Sequence, residues 1–190
     1  MPRAILPALL FVVSAGLMHA APVPKKPKVD YQKLADETEW KYVTFSFKET
    51  LATELKGYEV TEEQAVDGSR DLVIHISDDK KELLLAWKTH GGTESFAQRN
   101  GVFYYTDHSP YSSGCSVVAF DLDAKKQLWK TELKGLGPID HSKYRNAVRL
   151  EVLDDETLRV FGKESSGRYV EIVDRGTGKT VGHKLFDEKN

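Results

Sequence analysis

From Leu72 onward the side chains sort onto two faces with a period of two residues, and that period limits what the chain can fold into. Leu72, Ile74 and Ile76 alternate with Val73, His75 and Ser77, and Leu83, Leu85 and Trp87 alternate with Leu84, Ala86 and Lys88. Val118, Phe120 and Leu122 repeat the spacing, as do Val148, Leu150 and Val152, and then Val170 and Ile172. A strand sends successive side chains to opposite faces, so these runs predict half-buried strands of antiparallel sheet. Turn chemistry separates them: Asp78-Asp79-Lys80-Lys81, Asp123-Ala124-Lys125-Lys126, Asp154-Asp155-Glu156 and Arg175-Gly176-Thr177-Gly178. Aspartate accepts amide hydrogens at such reversals, and glycine takes the left-handed conformation they need. About ten strands follow, most of them paired as hairpins. The predicted fold is mainly β, with antiparallel hairpins in a sandwich or partial-propeller arrangement and one short N-terminal helix.

That helix is predicted over residues 47–56. Ser46 and Glu49 have the spacing of a capping box, Phe47, Leu51 and Leu55 form one apolar stripe, and Gly57 stands where a left-handed cap belongs. A strand is expected just before it, with Val43, Phe45 and Phe47 on one face.

The first 20 residues read as a secretory signal. Arg3 supplies the basic start, Ile5 to Val13 the apolar run, and Ser14, Ala15, Gly16, Ala20 and Ala21 the small residues of a cleavage region. The run is too short to cross a bilayer, which takes about 20 residues, so the chain is not expected to be transmembrane. Residues 21–29 (APVPKKPKV) form a Pro/Lys-rich tether, and residues 30–190 a single β-rich domain. The expected location is periplasmic or extracellular.

Charge and cysteine content narrow the function further. With 27 Lys+Arg against 29 Asp+Glu the net charge is −2, which argues against a nucleic-acid partner held by phosphate electrostatics. The single cysteine excludes a disulfide framework and a cysteine-rich zinc site. Cys115 opens the apolar segment Ser116–Phe120 and is expected to be a buried thiol rather than an intermolecular one.

Two segments align with each other. Val117–Leu133 (VVAFDLDAKKQLWKTEL) and Val170–Phe186 (VEIVDRGTGKTVGHKLF) both run strand, Asp, turn, strand; Asp121 precedes Leu128 by the same interval as Asp174 precedes Val181. In the first copy Val102–Thr106 is the preceding strand, and Ala119-Phe120-Asp121 with Gln127-Leu128-Trp129 the second half. In the later copy Ile172-Val173-Asp174 and Thr177-Gly178-Lys179 match, with Gly182 in place of the tryptophan. An earlier copy ends at Leu85-Ala86-Trp87-Lys88, without an Asp-turn half. The pattern resembles the blade repeat of quinoprotein-type (PQQ-like) β-propellers and covers about residues 100–186. The resemblance implies blade-like hairpins. Its quinone site uses adjacent disulfide-bonded cysteines and a calcium held by acidic and amide ligands. This chain has neither, so PQQ binding is not supported and no cofactor is predicted.

Candidate chemistry gathers in loops. Asp174 to Thr180 (DRGTGKT) has some look of a phosphate loop, but Val173 stands where the first glycine is required and a β pattern follows, so a hairpin turn is expected. His90, Asp107, His108, Asp140 and His141 lie beside strand connections, and His90, His108 and His141 are the candidate metal ligands. Cys115 with one of these histidines is the candidate thiol pair. The segment from Gly91 to Gly114 reads as a long loop, either a plain surface connection between two hairpins or a functional one. It carries Arg99, Tyr104, Tyr105, His108 and Tyr111, the residue types that dominate recognition surfaces. Of Tyr104 and Tyr105, which point to opposite faces, one is expected in the core and the other outward. The function expected is an exported, non-enzymatic binding module for a protein or small ligand. The alternatives are a metal-dependent or thiol enzyme, and a structural subunit that forms homo-oligomers through sheet edges.

Overall fold

The structure, a computed structural model, describes residues 29–41, 46–66, 69, 71–90, 94–107, 115–134, 147–164 and 167–186. The signal segment, most of the tether, Val43, Phe45, His108, Tyr111, Asp140 and His141 lie outside them.

The chain is mainly β, in three antiparallel sheets. The first sheet holds β1 (Glu59–Gln64), β2 (Leu72–Ser77) and β3 (Leu83–Thr89). The second holds β4 (Phe96–Arg99), β5 (Val102–Asp107), β6 (Ser116–Asp121) and β7 (Lys126–Glu132). The third holds β8 (Ala147–Val152), β9 (Thr157–Glu164), β10 (Gly167–Asp174) and β11 (Thr180–Phe186). In each sheet, strands adjacent in sequence are adjacent in space.

The last hairpin of every sheet follows one plan. A register shift comes after Ile76, Ala119 and Ile172, which face Leu85, Trp129 and Gly182 respectively. Two residues on stands an aspartate whose Oδ1 gathers the turn amides. Asp78 accepts from the Lys80 and Glu82 amides at 3.0 and 2.8 Å, Asp121 from Ala124 at 2.8 Å, and Asp174 from Thr177 at 2.7 Å. A left-handed residue completes each turn: Lys81 (φ 64°), Lys125 (φ 51°) and Gly178 (φ 72°). Asp78 therefore supplies the Asp-turn half not found for the earliest copy in the sequence. The first turn is one residue shorter, which moves Asp78 out of the expected frame.

The sheets stack face to face. Ile74, Ile76 and Trp87 of the first meet Phe96, Phe103 and Leu122 of the second, with the Trp87 ring centroid 5.3 Å from that of Phe103. Tyr104, Val117 and Ala119 of the second meet Val148, Leu158 and Val160 of the third. Each interface removes large apolar side chains from water, at about 25 cal/mol per Å² of apolar surface. Phe161, Val170 and Ile172 on the far face of the third sheet are covered by helix α1 (Tyr31–Glu37) and Trp40. The sheets among the described residues number three, against the four or more blades of a closed propeller.

Three expectations change. Among the described residues there are two short helices, since α1 precedes the expected one, with Asp30 as its N-cap accepting from the Lys33 amide at 3.0 Å. The expected helix is α2 (Phe47–Glu54), shorter than 47–56; Phe47 opens it rather than closing a strand. Ser46 is its N-cap residue, yet its side chain makes no capping bond, whereas Gly57 does adopt φ 100°. Finally, Gly91 to Gly114 is not one long loop: β5 runs where the strand Val102–Thr106 is expected, and β4, outside the expected strands, precedes it. They are joined at Asn100-Gly101, whose φ values of 55° and 77° are those of a tight primed hairpin turn.

Candidate functional site

Ends of several strands converge at one end of the second sheet. His90 follows β3, Glu94 and Ser95 precede β4, Asp107 ends β5, Cys115 and Ser116 open β6, and Lys130 lies near the end of β7. Hydrogen bonds fix them. Thr106 Oγ1 accepts from the Ser95 amide at 2.9 Å, and Ser95 Oγ accepts from the Leu150 amide at 3.0 Å, joining this end to the third sheet.

The Glu94 carboxylate is 1% exposed. Its Oε1 accepts from the His90 amide at 2.6 Å and lies 2.9 Å from His90 Nδ1. The other oxygen, Oε2, is buried without a hydrogen-bond partner. Glu94 carries no sequence signal, because a buried acid interrupts no period in the short run before β4.

Cys115 is buried, as expected. Burial raises its thiol above the ordinary value, and the charges of Asp107, Glu171 and Glu94 add to that, opposed by Lys130. Such surroundings disfavour the thiolate that a nucleophile needs. Glu171, fully buried, accepts from Thr180 Oγ1 at 3.0 Å.

The expected recognition residues separate. Tyr104 faces the third sheet, 3% exposed, and its hydroxyl accepts from Arg175 Nε at 3.2 Å while the guanidinium lies 5.2 Å from its ring. Tyr105 points the other way but is not outward, because it packs against Trp87 with centroids 5.1 Å apart. Burial first, then Asp107, pushes its phenol up to about 12. Both faces of the second sheet are therefore interior, which corrects the expectation that one tyrosine points outward. Arg99 is exposed at the opposite end of β4 from Glu94. Among the described residues no three His, Cys, Asp or Glu side chains come together as a metal site.

A concavity of about 330 Å³ lies between α1 and the third sheet, lined by Leu34, Glu37, Thr38, Glu39, Lys41, Arg159 and Phe161. Lys41 and Arg159 both lie over the Phe161 ring, at 5.4 and 5.2 Å, and both bind Glu151, at 2.7 and 3.0 Å. Burial alone would raise the Glu151 carboxyl, but the hydrogen bonds and charges of Lys41 and Arg159 outweigh it and hold the group below its usual value. Both cations are thereby already partnered.

No helix among the described residues is long and apolar enough to cross a membrane. No protein-family model matches the chain, and no curated protein matches it.

Proposed function

We propose that this chain is an exported, non-catalytic interaction module, assembled from blades of the quinoprotein-propeller kind. The observation that carries the reading is the hairpin plan, which recurs in the last hairpin of all three sheets. Side chains fasten successive repeats together. Trp129 Nε1 donates to the Arg175 carbonyl at 2.9 Å and Thr131 Oγ1 to the Gly178 carbonyl at 2.6 Å, tying β7 to the last turn of the third sheet. Lys125 and Glu82 pair across the turns of the first and second sheets. Repeats that stack this way leave strand ends and edges as the surfaces for partners. Export is supported by Arg3, the apolar run Ile5 to Val13 and the small residues after it.

Native mass spectrometry of the protein isolated from its own exported fraction tests both parts. The expected result is a subunit that has lost its first 15 to 20 residues and carries a protein partner in addition. An uncleaved N-terminus overturns export. A bare monomer under conditions that preserve complexes overturns the interaction reading.

A further inference from the structure

We propose that β1 is a strand-addition edge: the first sheet, which has no opening strand among the described residues, takes one from an extended, lysine- or arginine-bearing segment of a partner protein. This rests on the interaction-module reading and names the surface and the partner's chemistry. The deficit follows from the hairpin plan. In the second and third sheets the bulged hairpin is made by the third and fourth strands, so β4 and β8 are the opening strands. In the first sheet the same hairpin is β2–β3. That makes β1 the second strand, and the position beside it is empty among the described residues. In sequence the place of an opening strand is taken by α2, which turns toward the second sheet: it buries Leu51, and Glu54 Oε2 accepts from the Gln98 amide of β4 at 2.8 Å.

Three of the other edges are already blocked. Glu54 caps β4, and Ser95 Oγ caps β8 at Leu150. The Gln32 side chain covers β11, donating to the His183 carbonyl at 2.9 Å and accepting from its amide at 3.2 Å, the pair of bonds a neighbouring strand would make. β1 is paired to β2 on one side only. Its residues are exposed on both faces, apart from half-buried Val60. An edge strand presents amide and carbonyl groups outward, which is the template an extended peptide uses.

Charge selects the occupant. Glu59 and Glu63 lie on one face of β1 and Glu62 on the other, so an added strand meets glutamates on both faces. A second copy pairing β1 against β1 along its full length would bring Glu62 of each strand diagonally beside Glu59 and Glu63 of the other, and like charges on neighbouring strands repel. A basic segment gains cross-strand ion pairs instead.

The test uses the mature protein and three blocked six-residue peptides. One alternates lysine with threonine or valine, one carries glutamate in place of lysine, and one keeps the lysines but is N-methylated at alternate amides. Binding is followed by fluorescence titration and by hydrogen exchange of residues 59–64. The lysine peptide should bind and slow exchange in β1, while the other two do not. Glu59→Lys with Glu62→Lys should weaken lysine-peptide binding about three- to tenfold and permit the glutamate peptide. Equal binding of the N-methylated peptide, or binding without protection of β1, overturns strand addition. Protection of β1 together with a dimer mass and no peptide overturns the choice of occupant. A natural partner found by mass spectrometry that leaves β1 unprotected keeps the module reading and removes this one.

Discussion

Trp129 and Gly182 occupy the same register position in two copies of one hairpin, yet opposite volumes serve them. The indole of Trp129 reaches the next turn, and a side chain at Gly178 would come within 2.6 Å of its ring. At Gly182 an added Cβ would stand 2.3 Å from the Tyr31 carbonyl oxygen, because α1 lies against that face. A large residue fastens one sheet to the next where there is a next sheet, and the smallest residue admits the helix where the stack ends. Cys115 shows the same dependence on surroundings. Its raised thiol pKa and 5% exposure predict that iodoacetamide leaves it unmodified in the folded protein and labels it fully in denaturant. Rapid native labelling near neutral pH would show an accessible thiolate and contradict the burial described.

The elements were legible to different degrees, for physical reasons. Strands β2, β3, β6 and β10 follow from alternation, and the Asp turns between them from side-chain acceptors close to the backbone. The Asn100-Gly101 turn was equally legible, since few residue pairs accept positive φ twice, but the aromatic run around it suggested a recognition loop. Helix α1 gives little periodic signal, having two turns and Ala35 as its single fully buried residue. It is held by tertiary contacts instead: Gln32 on β11, Lys184 Nζ donating to the Asp36 carbonyl at 2.6 Å, and Trp40 Nε1 donating to the Gly162 carbonyl at 3.2 Å. Gly182→Val should therefore release α1 without unfolding the third sheet. Hydrogen exchange should quicken in residues 31–37 and stay slow in β9 and β10. Loss of protection across both would mean that α1 and the sheet form one cooperative unit.

At the scale of the molecule, acid should act through the charges that join elements. Glu151 of β8 binds Lys41 beyond α1 and Arg159 of β9. Asp154 accepts from the Glu156 and Thr157 amides and the Thr157 hydroxyl; these bonds, with the Arg175 charge, outweigh the effect of burial and lower its carboxyl. Both groups are depressed below ordinary values of 4.5 and 3.8. Their contribution is thus present above those values and is lost as pH falls through the lower folded ones. The urea midpoint should drop between about pH 5 and about pH 2, and Glu151→Gln should flatten part of that drop. A midpoint independent of pH over that interval would mean these carboxylates are no better placed in the folded state than in the unfolded one.

The sequence by itself determined the class of structure. Period-two patterning, Asp-centred turns and a repeated hairpin are local properties, written in residues close along the chain, and they specify antiparallel β hairpins before any sheet is stacked. What lies on either side of each sheet was decided only by tertiary structure. Tyr104, Tyr105 and Glu94 could each have faced solvent on their local pattern, and Gly182 could have been an ordinary turn-side glycine. Their environments come from partners far away in sequence: Arg175, Trp87, the strand ends of the second sheet, and Tyr31. That β1 pairs on one side only among the described residues belongs to the same order of fact, since it shows only once the sheets are assembled.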